Sequence, residues 1–122
     1  LVDVMSVTPP ERIISLDLVK SFSKGNLDTE RKLLELFLLQ SDSHVADLSR
    51  CCANDDGEGW VHAAHSLKGD AASIGADALS ELCMKAQSMN AASAAERNEM
   101  LGRIKRQYDQ VRREITAIIL SA

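Results

Sequence analysis

Aromatic residues are scarce in this sequence, with one tryptophan, one tyrosine and two phenylalanines among 122 residues. Valine and isoleucine together number 14, against 30 alanines and leucines, a balance that starves strands and favours helices. Nothing beyond Pro10 is a proline, so no later helix is broken by one. The three cysteines are an odd number and Cys51 and Cys52 are adjacent, which argues against a disulfide framework and for a reducing, cytoplasmic setting. Positive charge is not in excess: 14 Lys and Arg against 18 Asp and Glu leave −4, which excludes a nucleic-acid binder relying on a basic stripe. Long apolar runs are missing too. Leu36–Leu39 falls far short of the ~20 residues that span a bilayer, and Leu1–Val7 has no basic region of the kind that opens a signal peptide. Neither a P-loop nor a kinase glycine-rich loop is present to bind ATP. The length suits one domain, able to bury roughly two thirds of its unfolded surface, and is too short for a two-domain kinase or dehydrogenase. A sequence starting at Leu1 and not at Met is expected to be a domain cut from a longer protein.

What is present reads as helices. Residues 1–9 form an expected flexible leader, with Thr8-Pro9-Pro10 as the stop before a folded domain over 10–122. Pro10 suits the first position of a short opening helix. Asp17 to Ser23 reads as one or two helical turns closed by Lys24-Gly25-Asn26. Asp28 is the expected cap of a long helix to Ala53, whose stripe is Leu33, Leu34, Phe37, Leu38, Leu48 and Cys52. Asn54-Asp55-Asp56-Gly57 is a turn, and a helix from Glu58 to Ile74 follows, ended by Gly75. Asp77 is placed to cap a helix reaching Met89, and Asn90–Ala92 connects it onward. Ser93-Ala-Ala-Glu96 matches a capping box. It opens a last helix with the stripe Met100, Ile104, Tyr108, Val111, Ile115 and Ile118. Short connections force neighbouring helices to alternate, so the expected fold is all-α: an antiparallel, up-down four-helix bundle with a short extra N-terminal helix.

The chemistry concentrates between Trp60 and Gln87. Trp60, Ala64, Leu67, Ala71 and Ile74 recur at spacings of 4, 3, 4 and 3 and define one buried face. At 100° per residue, His65 points about 140° away from the middle of that face, with Lys68, Gly69 and Ala72 within about 60° of it. Gly69 costs about 1 kcal/mol relative to alanine in a helix interior, so it needs a compensating reason. On the exposed side that reason is access to the imidazole by another protein; the alternative is close packing against a neighbouring helix.

His65-Ser-Leu-Lys68-Gly69, followed by Ile74-Gly75-Ala76 and Leu79, resembles the histidine-containing phosphotransfer (HPt) domain, whose pattern is H-x-[LI]-K-G with G-A about six residues later. Leu16-Asp17, Lys24-Gly25-Asn26, Phe37, Trp60 and Leu82-Cys83 extend the resemblance over roughly residues 13–120. It implies a phosphoryl carrier in a multistep two-component phosphorelay. His65 would accept the group through Nε2 from the aspartyl phosphate of one response-regulator receiver domain and hand it to another receiver's aspartate. Histidine titrates near neutrality and is nucleophilic when unprotonated, and an N–P bond is labile enough to return the group. Lys68 would offset phosphoryl charge, and Gln87, 22 residues after His65, would accept Nδ1–H and leave Nε2 free. Some members carry a cation four residues beyond that glutamine; this chain has Ala91. His62, Ser66, Gly69 and Ala72 would form the docking surface. The chain would hold no cofactor and have no autonomous catalytic site, the partner receiver supplying Mg²⁺. A hybrid sensor histidine kinase, from which the domain could be excised, is a further implied partner, and a monomer is expected. The alternatives are the substrate domain of a chemotaxis-type kinase, which tends to carry glutamate at the Gln87 position, or an interaction module that binds receivers without being phosphorylated.

Other reactive residues read as ordinary. His62 and His65 are spaced to share a metal, but no third ligand completes the pair, so no metal site is expected. His44 has no evident partner. Cys51, Cys52 and Cys83, and Met84, Met89 and Met100, read as packing. Arg103, Lys105, Arg106, Arg112 and Arg113 read as a solvated basic face, with partner steering as the alternative. Gly102, inside the last helix, finds no reason in the sequence.

Overall fold

The computed structural model describes residues 13–121, and every regular element among them is helical: α1 Asp17–Ser23, α2 Leu27–Ala53, α3 Gly57–Ser73, α4 Asp77–Gln87 and α5 Ala94–Ser121. The expected leader over 1–9 and the helix opening at Pro10 lie outside the described residues. Among the described residues no helix is long and apolar enough to cross a membrane.

The helix ends follow from local chemistry, with three corrections. The turn after α1 is made by Lys24 and Gly25 in the left-handed region, at φ 50° and 84°. Asn26, and not Asp28, then caps α2, because its side chain accepts from Thr29 N at 3.0 Å. Asp28 instead sits in the first turn, with Arg31 and Lys32 on its carboxylate. Asp56 caps α3 through Gly59 N at 2.9 Å. At the other end Gly75 N donates to Ala72 O and Ala76 N to Ala71 O, the paired bonds of a Schellman ending with Gly75 at φ 66°. That ending consumes Ala76, which becomes the N-cap of α4 without a side-chain bond, so Asp77 is the first helical residue and not the cap. The helix α4 stops at Gln87, two residues short of the expected Met89. The capping box forms as read: Ser93 N donates to Glu96 Oε1 at 2.9 Å and Glu96 N to Ser93 Oγ at 3.1 Å.

Packing contacts join α2 to α3, α3 to α4, α4 to α5 and α5 back to α2, while α1 lies on α2. The stripes meet inside this ring: Leu34, Leu48, Trp60, Leu67, Ile74, Leu79, Ile104, Val111 and Ile115 are buried almost completely. Polar pins tie the ring across helices. Trp60 Nε1 donates to Ala86 O at 2.8 Å, and Arg112 grips both oxygens of Asp42 at 3.1 and 3.0 Å while Tyr108 donates to the same carboxylate. Arg97, 3% exposed, donates to the carbonyls of Met89, Asn90 and Ala92 and pairs with Asp55, so one guanidinium satisfies the connector between α4 and α5.

Candidate functional site

The orientation of α3 is fixed by its apolar face. Trp60, Ala63, Ala64, Leu67 and Ala71 are buried, with Ile74 just beyond the helix end, and this turns His65, Gly69 and Ala72 outward; all three are exposed. His62 is exposed on the same side, and Ser66 and Lys68 are half-buried at its edges. Lys68 has no ion-pair partner among the described residues, which leaves its ammonium available to an incoming anion.

Among the described residues, α4 alone touches the imidazole through a polar group. Gln87 Nε2 lies 3.1 Å from His65 Nδ1. The resemblance implies that the carbonyl oxygen accepts Nδ1–H; which end of the amide faces the ring follows the tautomer. With the amide donating, Nδ1 is the acceptor and the ring proton sits on Nε2. Turning the amide by 180° puts the carbonyl on Nδ1–H and the lone pair on Nε2 in the same space, so amide and tautomer switch together. The other walls of the shallow recess beside His65 are Glu58, Val61, His62 and Asn90.

Gly69 has a negative φ, and a Cβ built on it would meet nothing within 4 Å. Helix packing is therefore not its reason. Gly75 is the opposite case, since a Cβ there would meet Ser15 Cβ at 2.6 Å, and Ser15 N donates to Ile74 O at 2.9 Å.

Two features beside this face escape the sequence. His44 does have a partner: its Nδ1 lies 2.6 Å from Asp70 Oδ2, which also accepts from the buried Ser41 hydroxyl at 3.2 Å. These bonds tie α2 to α3 one residue past Gly69. A helical wheel finds neither half, because the two residues meet only once the helices pack. The second is an apolar groove where α1, α2 and the end of α3 meet, lined by Leu18, Phe22, Leu36, Phe37, Ser73 and Ile74 among others. Phe22 is 71% exposed, an unusual state for a phenylalanine.

The remaining reactive side chains stay apart. Cys51, Cys52 and Cys83 are buried free thiols, and burial pushes Cys83 up to about 12, leaving it a protonated, unreactive thiol at neutral pH. Among the described residues no group of three or more His, Cys, Asp or Glu is placed to hold a metal ion.

Two likenesses to known proteins bear on the family and the fold. The family model for the Hpt domain matches residues 32–114. The fold is similar to the crystal structure of histidine-containing phosphotransfer protein B (HptB) from Pseudomonas aeruginosa PAO1, with a TM-score of 0.79 and 20% identity over 94% of this chain and 99% of that one. No curated protein matches the sequence.

Proposed function

This chain belongs to the Hpt domain family, and from that premise we propose that it is a phosphorelay carrier whose phosphoacceptor is His65. The observation that carries the reading is an exposed imidazole held at Nδ1 by Gln87, which leaves Nε2 facing outward beside a helix surface without a side chain at Gly69. In the tautomer with the proton on Nδ1, the Gln87 carbonyl accepts a hydrogen bond from Nδ1–H. The Nε2 lone pair then attacks the phosphorus of a receiver's aspartyl phosphate. The N–P bond forms, the P–O bond to the aspartate breaks, and the carboxylate leaves with its electron pair. The reverse step on a second receiver returns the imidazole to its starting form.

The phosphoryl group brings a charge of about −2, and Lys68 offsets it. The receiver would supply Mg²⁺, whose charge would offset that of the phosphoryl group during transfer. Docking uses the smooth patch of Gly69 and Ala72, edged by His62 and Ser66. The apolar groove with Leu18, Phe22 and Leu36 continues that patch past Ser73 and gives the receiver an apolar anchor. Gln87, where a chemotaxis-type substrate domain tends to carry glutamate, favours the relay reading.

We read the ring of helices over the described residues 13–121 as an up-down antiparallel bundle. The pairs Trp60–Ala86 and Cys52–Asn98, each joining the start of one helix to the end of its neighbour, and Ser41–Asp70, which lie about equally far from the turn between α2 and α3, support this. The chain works as a monomer in the cytoplasm, receiving the group from receiver domains including one of a hybrid sensor kinase. Incubation with a radiolabelled phospho-receiver and Mg²⁺ tests the reading: acid-labile, base-stable label is expected on the wild type and not on His65→Gln. Equal labelling of the two removes His65 from the role.

A further inference from the structure

The basic residues late in α5 separate into two sets once the helices are packed. Arg112 is tied to Asp42 and Arg113 to Asp109. Arg103 and Arg106 instead face Lys85 across the groove between α4 and α5, and none of the three has an ion-pair partner among the described residues. Three unpaired cations share this groove with one carboxylate, Glu81, while the whole chain carries −4. Between the charges lie apolar Ala78 and Leu82 and the amides of Gln107 and Gln110.

Gly102 lies beside one of these cations. It lies in the interior of α5 with a negative φ, so no backbone conformation requires glycine there. A Cβ on it would meet a single group within 4 Å, the guanidinium nitrogen Nη1 of Arg106 at 3.3 Å. The Arg106 head group therefore lies over the bare backbone at Gly102, and a side chain there would shift it by a few tenths of an ångström or more, according to its size.

We propose that the α4–α5 groove is a second docking site, which takes an acidic segment of polypeptide. The occupant follows from complementarity. Carboxylates meet Lys85, Arg103 and Arg106, a small apolar side chain rests on Ala78 and Leu82, and the two glutamines pair with main-chain amides. The groove runs between two helices, which suits an extended or helical segment. A polypeptide is favoured over a nucleic acid because the lining offers apolar Ala78 and Leu82 and the amides of Gln107 and Gln110, which a side chain and main-chain amides use and a phosphate backbone does not. Gln87 and Lys85 lie on different sides of α4, since one touches His65 and the other lines the groove. A partner can thus hold the carrier here while the His65 face stays open.

The test titrates the full chain into a fluorescein-labelled glutamate-rich peptide containing leucine, followed by anisotropy, with a glutamine-for-glutamate peptide as control. The acidic peptide is expected to bind, the neutral one to bind at least about tenfold more weakly, and the combined Lys85→Gln, Arg103→Gln, Arg106→Gln variant to lose about tenfold. Removing three cations elsewhere, through Lys24→Gln, Lys32→Gln and Arg113→Gln, is expected to change binding less than about twofold, because the effect is local within a Debye length. Gly102→Gln is expected to weaken binding without lowering the melting temperature, which a purely structural glycine would not do. Saturating peptide leaves phosphoryl transfer to His65 unchanged. No binding, equal losses in both triple variants, tighter binding of a single-stranded oligonucleotide through the same residues, or competition with a receiver each overturns the second site.

Discussion

Replacing Gly69 is expected to improve the fold and damage the exchange of phosphoryl groups, an unusual pairing of signs. The residue sits in the interior of α3 with a negative φ, and a Cβ there meets nothing within 4 Å. Alanine therefore incurs no steric or conformational cost and recovers the helix-propensity difference, about 1 kcal/mol. For a domain of this size that raises the melting temperature by about 4 °C. The substitution Gly69→Gln recovers a smaller part of the same gain, since glutamine is also a better helix former than glycine. Its side chain, however, stands on the face beside His65 and holds a docked receiver away. Displacement of a reacting centre by about 1 Å costs on the order of a hundredfold in rate, so Gly69→Gln is expected to slow transfer at least tenfold and Gly69→Ala much less. Thermal denaturation and single-turnover transfer from a phospho-receiver read the two effects. A melting temperature that falls in Gly69→Ala would show the residue to be packed. Undiminished transfer in Gly69→Gln would remove this face from docking.

Gln87→Leu deletes the one polar contact to the imidazole and is expected to slow transfer about fivefold, the worth of one hydrogen bond; ¹⁵N NMR of His65 would show the Nδ1–H tautomer less populated. Arg97→Met leaves the Asn90 and Ala92 carbonyls without their donor, while Met89 O keeps Ala92 N, and is expected to destabilise the fold by about 3 kcal/mol, measured by urea denaturation. Hydrogen bonding from Arg112 and Tyr108, set against the cost of burial, holds the Asp42 carboxyl below its ordinary value. Its contribution is therefore present above the unfolded carboxylate pKa, near 3.9, and is lost as pH falls through the lower folded value. The stability gap between wild type and Asp42→Asn should accordingly shrink below about pH 4. Burial and the Asp42 contact push the Tyr108 phenol up, so its contribution is present below the unfolded pKa of about 10 and declines at higher pH; Tyr108→Phe should flatten that alkaline limb.

The helices and the exposed histidine were legible because their determinants are local. A stripe such as Met100, Ile104, Tyr108, Val111 and Ile115 needs only the helical period to be read, and all five residues are buried. The same period set His65 and Gly69 opposite the Trp60 face. Caps were harder where two candidates competed. Asn26 and Asp28 both suit the role, and the left-handed turn at Lys24 and Gly25 decides for Asn26 by starting the helix at Leu27. At Asp77 the Schellman ending of α3 takes up the residue in front, which no pattern within α4 announces. The partnership of His44 with Asp70, the connector held by Arg97 and the division of the α5 cations all depend on which helices become neighbours. Gly102 illustrates the limit: its cost is visible in the sequence, while the Arg106 head group that occupies the space is visible only in the structure.

The central claim is that His65 carries the phosphoryl group and gives it up again. Peptide mapping by mass spectrometry under alkaline conditions, before and after a second receiver and Mg²⁺ are added, tests it most directly. One phosphoryl group on His65 that disappears as the second receiver becomes labelled is the predicted result. A phosphoryl group on His44, His62 or any other residue, or one on His65 that the second receiver does not discharge, would contradict it.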